Sequence, residues 1–180
     1  MDTPFIIQVE DAVLTDLHQR LGNTRWPDSI GKPWTYGTDV GELKSLVEYW
    51  LAVYDWRREE AALNALDHRL MTIRGRETHF IHAKSPHADA LPLLMTHGWP
   101  GSIVEFQKII PLLTHPELAG GQASEAFHVI CPSIPGYGFS EAPSEPGFDQ
   151  REVAIDHIEL MRQLGYEGYG LQGGDWGSAI

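Results

Sequence analysis

The chain has 180 residues, a formal net charge of −12 at pH 7, 42% hydrophobic and 21% charged residues. Those proportions are those of an ordinary globular protein and exclude disorder as the default reading. The acidic balance, with no basic run longer than Arg57-Arg58, excludes a nucleic-acid partner, which needs clustered Lys and Arg to neutralise phosphates.

Near the N-terminus Asp2, Glu10 and Asp11 surround one short apolar cluster, Phe5-Ile6-Ile7, so neither a signal peptide nor a membrane span is expected there. Val13, Leu14, Leu17 and Leu21 recur at helical spacing, with Gly22 placed to end that helix. A loop follows, carrying Arg25-Trp26-Pro27-Asp28 and Pro33-Trp34-Thr35-Tyr36-Gly37. Asp39 with Glu42 forms a capping-box start for a second helix, whose stripe is Leu43, Leu46, Val47, Trp50, Leu51 and Tyr54. A third helix is expected from Arg57 to Leu66. Large aromatics dominate buried area, so the tryptophans at 26, 34, 50 and 56 are expected mostly in core and interdomain packing.

The texture changes near residue 70, dividing the chain into a helical segment 1–70 and an α/β segment 71–180. Met71–Arg74 and Thr78–His82, separated by Gly75-Arg76-Glu77, read as a hairpin. Leu91–Thr96 and Phe127–Cys131 are short apolar runs, as in strands buried on both faces of a parallel sheet. Cys131, the single cysteine, cannot close an internal disulfide and reads as a buried strand thiol in a reducing, cytoplasmic setting. Helices are expected over Ser102–Leu113 and Gln150–Leu164, and a last strand over Tyr169–Gln172. This alternation predicts a doubly wound α/β fold.

Three turns stand at the C-terminal ends of successive strands, where open α/β sheets place their ligands. They are His97-Gly98-Trp99-Pro100-Gly101-Ser102, Ser133-Ile134-Pro135-Gly136-Tyr137-Gly138-Phe139-Ser140, and Gly173-Gly174-Asp175-Trp176-Gly177. The third has a small-x-nucleophile-x-small pattern, with an aspartate at the nucleophile position. Small flanking residues are needed because a strand-to-helix elbow leaves no room for Cβ atoms beside its central residue. Such an elbow would set the Asp175 carboxylate at a helix N-terminus, which favours the anion. The amides of Trp99 and Trp176 would face it as hydrogen-bond donors.

With these turns go Tyr49-Trp50, Tyr54-Asp55-Trp56-Arg57, His79-Phe80-Ile81-His82 and the two tryptophan loops. On this set the chain resembles, over essentially its whole length, the epoxide hydrolases of the α/β-hydrolase superfamily, in the microsomal-type branch that carries an N-terminal extension. The resemblance implies a truncated first half of the α/β-hydrolase domain behind a helical extension. It also implies a place in detoxification and aromatic-hydrocarbon catabolism. The implied reaction has two steps: an aspartate opens the epoxide at carbon to give a glycol monoester, and an activated water then hydrolyses the ester. Asp175 is the implied nucleophile, with the backbone amides of Trp99 and Trp176 as the oxyanion hole. No cofactor and no metal are implied, and the substrate is a small-molecule epoxide.

The family's histidine base and its acid lie far downstream of the nucleophile, and its tyrosines sit on an inserted lid. Five residues follow Asp175, and all nine histidines precede it. The chain therefore reads as the N-terminal part of such an enzyme, and no multiple turnover is expected of it. Its open strand edge leaves room for a homo-oligomer or a non-catalytic interaction role.

Competing readings of single residues are weaker. Asp175 as a plain N-cap ignores its glycines and the preceding strand. His97 fits a loop-orienting histidine better than a general base, and Trp176 sits where an elbow around Ser178 would need a small residue. Glu141 stands where a dinucleotide fingerprint begun by Gly136 and Gly138 would need its third glycine. His79 and His82 have no matching carboxylate or thiol pair for a metal. A haloalkane dehalogenase uses the same aspartate elbow, but that family prefers Asn at the place of Trp99.

Overall fold

In the computed structural model, which describes residues 1–180, the chain divides into two compact units. One is Ile7–Ala61; the other joins Met1–Ile6 to Ala62–Ile180.

The first unit is helical. α1 (Asp11–Gly22) keeps Gly22 as its last residue, and Asn23 caps it by donating its amide to the Gln19 carbonyl at 3.0 Å. α2 (Val40–Ala52) starts where the capping signal puts it, with the Asp39 side chain accepting the Glu42 amide at 3.0 Å. α3 (Trp56–Leu63) stops three residues before the expected Leu66 and runs across the unit boundary. Its Glu60 is buried, yet it accepts the Val9 amide at 2.7 Å and the Trp56 indole at 3.1 Å and pairs with Arg57. Neither α1 nor α2 contains a buried residue. Trp34 and Trp50 are exposed and Trp26 and Trp56 half-buried, against the expected core packing. So short a unit has too little interior to enclose such rings.

The second unit is built on six strands: β1 (Thr3–Pro4), β2 (His68–Ile73), β3 (Arg76–Ala83), β4 (Leu91–Thr96), β5 (Phe127–Pro132) and β6 (Gly170–Gly173). They form one mixed sheet in the order β1-β2-β3-β5-β4-β6. The first three strands and the β3–β5 pair run antiparallel, whereas β5, β4 and β6 run parallel. The hairpin turns on two residues rather than three. Arg74 and Gly75 both have positive φ, 47° and 89°, as the right-handed twist of a tight hairpin demands.

Alternation along the central strands fills both faces. Phe80, Leu94 and Ile130 pack with Met71, Ile73, Leu160 and Met161 on one side. Their neighbours Ile81, Met95, Val129 and Cys131 pack with Ile103, Phe106 and Ile110 on the other. The helix expected over Ser102–Leu113 is broken into a 3₁₀ turn (Ile103–Phe106) and α4 (Ile110–Thr114). Pro111 has no amide to continue a helix through that point. α5 (Gln150–Gln163) is capped by Asp149, and Gly165 leaves it with φ 85°. α5 is tied to the hairpin by Asp156, a buried carboxylate that pairs with both Arg74 and Arg76. No helix is long and apolar enough to cross a membrane.

Candidate active site

Strand register brings the site together. β4 and β6 are parallel neighbours with Thr96 opposite Gly173, so the turns that follow them emerge side by side. The chain leaves β6 through Gly174 and reverses at Asp175, whose φ is 52°. Asp and Asn are the L-residues that best tolerate this left-handed region.

The glycines around it are required by contact. A Cβ at Gly173 would lie 2.1 Å from the Gly177 carbonyl oxygen, and one at Gly177 would lie 2.2 Å from that of Thr96. Gly98 is buried against Asp175, and a Cβ there would come within 2.6 Å of the Asp175 Cβ. The small-x-Asp-x-small pattern is thus a packing constraint between two strand ends.

Asp175 is exposed, and its two carboxylate oxygens differ. Oδ1 accepts the Trp99 amide at 3.0 Å and the Trp176 amide at 2.7 Å. Oδ2 receives no hydrogen bond from the chain. The Trp99 amide first, and the Trp176 amide second, hold the Asp175 carboxyl below its ordinary value, so it is an anion throughout the neutral range. The following residues form a four-residue 3₁₀ turn, Asp175–Ser178, so two local amides, rather than the expected helix N-terminus, stabilise the charge. The Ser178 hydroxyl closes this turn by donating to the Asp175 carbonyl at 2.6 Å.

Trp99 and Trp176 are 62% and 50% exposed, and both reach the carboxylate through their backbone amides. Beside the elbow lies a cleft of about 300 Å³ lined by Gly98, Pro135, Tyr137, Phe148, Val153 and Trp176. His97, 1% exposed, uses both ring nitrogens within the fold. Nε2 accepts the Ile134 amide at 3.1 Å and Nδ1 lies 3.0 Å from the Gly98 carbonyl oxygen.

Sequence reasoning missed a buried cluster behind the second turn. His79 stacks on His68, with 2.9 Å between His79 Nε2 and His68 Nδ1, and its other nitrogen is 2.9 Å from the Ser133 hydroxyl. The two histidines sit diagonally across the hairpin, since His79 pairs with Leu70. Their shared burial follows from register and had no signal in local spacing.

The sheet order and the sharp elbow after β6 define an α/β-hydrolase fold, and residues 92–180 match the family model described as "alpha/beta hydrolase fold". Residues 2–106 match the model "Epoxide hydrolase N terminus", and the chain belongs to that family. It is 46% identical to epoxide hydrolase 1 of Sus scrofa over 182 residues, covering 98% of this chain and 40% of that protein. Its fold superposes on juvenile hormone epoxide hydrolase from the silkworm Bombyx mori with a TM-score of 0.87 at 34% identity, over 100% of this chain and 48% of that one. The Aspergillus niger epoxide hydrolase gives 0.82 at 33% identity, over 99% and 47%. The chain spans about 40% of the length of the curated relatives it matches.

Proposed function

We propose that this chain supplies the nucleophile and the oxyanion hole of an epoxide hydrolase, which converts an epoxide and water to a vicinal diol. The observation that carries the reading is the unequal carboxylate of Asp175, with one oxygen held by two amides and the other bare.

Oδ2 attacks a ring carbon. A carbon–oxygen bond forms there as the ring carbon–oxygen bond breaks, and the electron pair leaves on the ring oxygen, which takes up a proton. Asp175 is then a glycol monoester whose carbonyl oxygen is Oδ1. Water adds to Cγ, and the negative charge develops on Oδ1, where the Trp99 and Trp176 amides already point. The bond from Cγ to Oδ2 breaks, Oδ2 takes one of the water's protons and leaves in the diol, the other proton passes to solvent, and the carboxylate is restored. An amide aimed at a developing oxyanion is worth on the order of 10²–10³ in kcat.

The domain roles follow the same reading. Residues 1–70 are read as the N-terminal extension, mostly helical although β1 and the start of β2 join the sheet, and 71–180 as the part of the hydrolase domain that carries the nucleophile. The apolar cleft beside Trp176 suits an epoxide with an aryl or alkyl substituent, of the kind met in aromatic-hydrocarbon catabolism and detoxification. A cytoplasmic setting fits the single buried thiol, Cys131.

Mass spectrometry of the chain incubated with styrene oxide tests the assignment. We expect one adduct, an ester on the peptide containing Asp175, absent from Asp175→Asn. Alkylation elsewhere in preference to Asp175 overturns it.

A further inference from the structure

We propose that His97 is a positioning residue for the Asp175 carboxylate, acting as the neutral Nδ1–H tautomer at the middle of a one-way chain of hydrogen bonds that ends on Oδ1. The inference rests on the reading of Asp175 as nucleophile and adds the group that sets its oxyanion-hole amide.

The partners fix the tautomer. The Ile134 amide can only donate, so Nε2, 3.1 Å away, is bare. The Gly98 carbonyl can only accept, so Nδ1, 3.0 Å away, carries the proton. Burial lowers the affinity of the ring for a second proton, in keeping with a neutral imidazole.

Two peptide groups extend the path. The Gly98 carbonyl belongs to the same peptide as the Trp99 amide, which donates to Asp175 Oδ1 at 3.0 Å. The Ile134 amide belongs to the same peptide as the Ser133 carbonyl, which accepts the Ser140 hydroxyl at 2.8 Å. The Ser140 oxygen in turn accepts the His79 amide at 2.9 Å. From β3 to the nucleophile every proton points the same way: His79 amide, Ser140 hydroxyl, Ile134 amide, His97 Nδ1–H, Trp99 amide.

Hydrogen bonds in series polarise one another, by about 10–30% per bond. An imidazole donating to the Gly98 carbonyl therefore strengthens the Trp99 amide as a donor and holds its plane toward Oδ1. The Gly101 amide, also 3.0 Å from that carbonyl, pins the same peptide from a second side. The arrangement gives the HG pair at the end of β4 a division of labour: Gly98 permits the approach to Asp175, and His97 aims the amide.

NMR of the 180-residue chain tests this without turnover, so its outcome is separable from that of the alkylation experiment. Ring ¹⁵N shifts of His97 should report the Nδ1–H tautomer at pH 7; the Nε2–H tautomer or a cation overturns the proposal, whether or not any variant folds. The Asp175 Cγ titration then compares variants. His97→Asn can still donate to the Gly98 carbonyl and should leave the midpoint close to that of the parent chain. His97→Gln can accept from Ile134 but cannot serve Gly98, and should move the midpoint upward. Ser140→Ala, further along the path, should move it upward by less. A histidine that merely fills space would give Asn and Gln the same displacement, and that result also overturns the proposal.

Discussion

The helical stripe of α2 and the alternating runs of β4 and β5 are comparably apolar in sequence, yet their fates differ. Val129, Ile130 and Cys131 are fully buried, whereas Leu46 in α2 is 57% exposed. In the strands, neighbours on both sides satisfy the backbone while helical elements cover both faces, so an apolar residue is enclosed whichever way it points. In the helical unit the apolar stripe of α2 meets little of its own unit, and no residue of that helix is buried. A 3.6-residue period shows that a helix has a face; it does not show that the face is covered.

The sharpest way to break this contrast is to truncate one residue in each place. Phe80→Ala, at a position with no exposure, should cost about 3–5 kcal/mol in urea unfolding, because it loses both transfer energy and packing. Leu46→Ala should stay within about 0.5 kcal/mol. Comparable losses at the two sites would mean that α2 is covered in solution.

Acid sharpens the contrast next, because three strongly shifted histidines all lie in the sheet unit. Burial, helped by the neighbouring His68, holds His79 at about 3. Burial likewise holds His82 and His157 at about 4 each. Their folded values lie below the unfolded one, so the unfolded chain binds more protons between them. The stabilisation is complete above about pH 6.5, the ordinary histidine value, and drains away as pH falls toward 4. Urea midpoints from pH 7.5 to 4 should fall through that window, and His82→Gln should flatten the slope. A flat profile would refute the neutral assignment.

A more local effect belongs to the start of α2. Asp39→Ala removes the acceptor for the Glu42 amide and should cost about 1 kcal/mol of local stability. Faster hydrogen exchange in the first turn of α2, with the β4 and β5 amides unchanged, would mark the helical unit as a separate cooperative element.

What the sequence disclosed follows the range of the forces involved. Local chemistry was legible: the Asp39 cap, the strand Leu91–Thr96 and the glycines around Asp175 all stand as their own residues dictate. The break before α4 was present in Pro111 but was outweighed by the apolar spacing around it. The pairing of Thr3-Pro4 with Arg69 and Leu70 was invisible, because a two-residue strand has no period and is fixed only by its partner. At the site, Asp175, Trp99 and Trp176 could be singled out, but not which carboxylate oxygen takes both amides. Nor did the sequence reveal that His97 reaches Ile134 across the end of the sheet. Those depend on the neighbour relation of β5, β4 and β6, which is a property of strand order.

The positive φ at Asp175 restricts what can occupy that position. A side chain branched at Cβ would resist the reversal there, whereas asparagine tolerates it nearly as well as aspartate. Exchanging the acid for its amide should therefore remove the negative charge while sparing the architecture. A valine at the same place would test the bend rather than the charge. The backbone thus acts as a selector, admitting to this position only the few side chains willing to sit in a left-handed conformation.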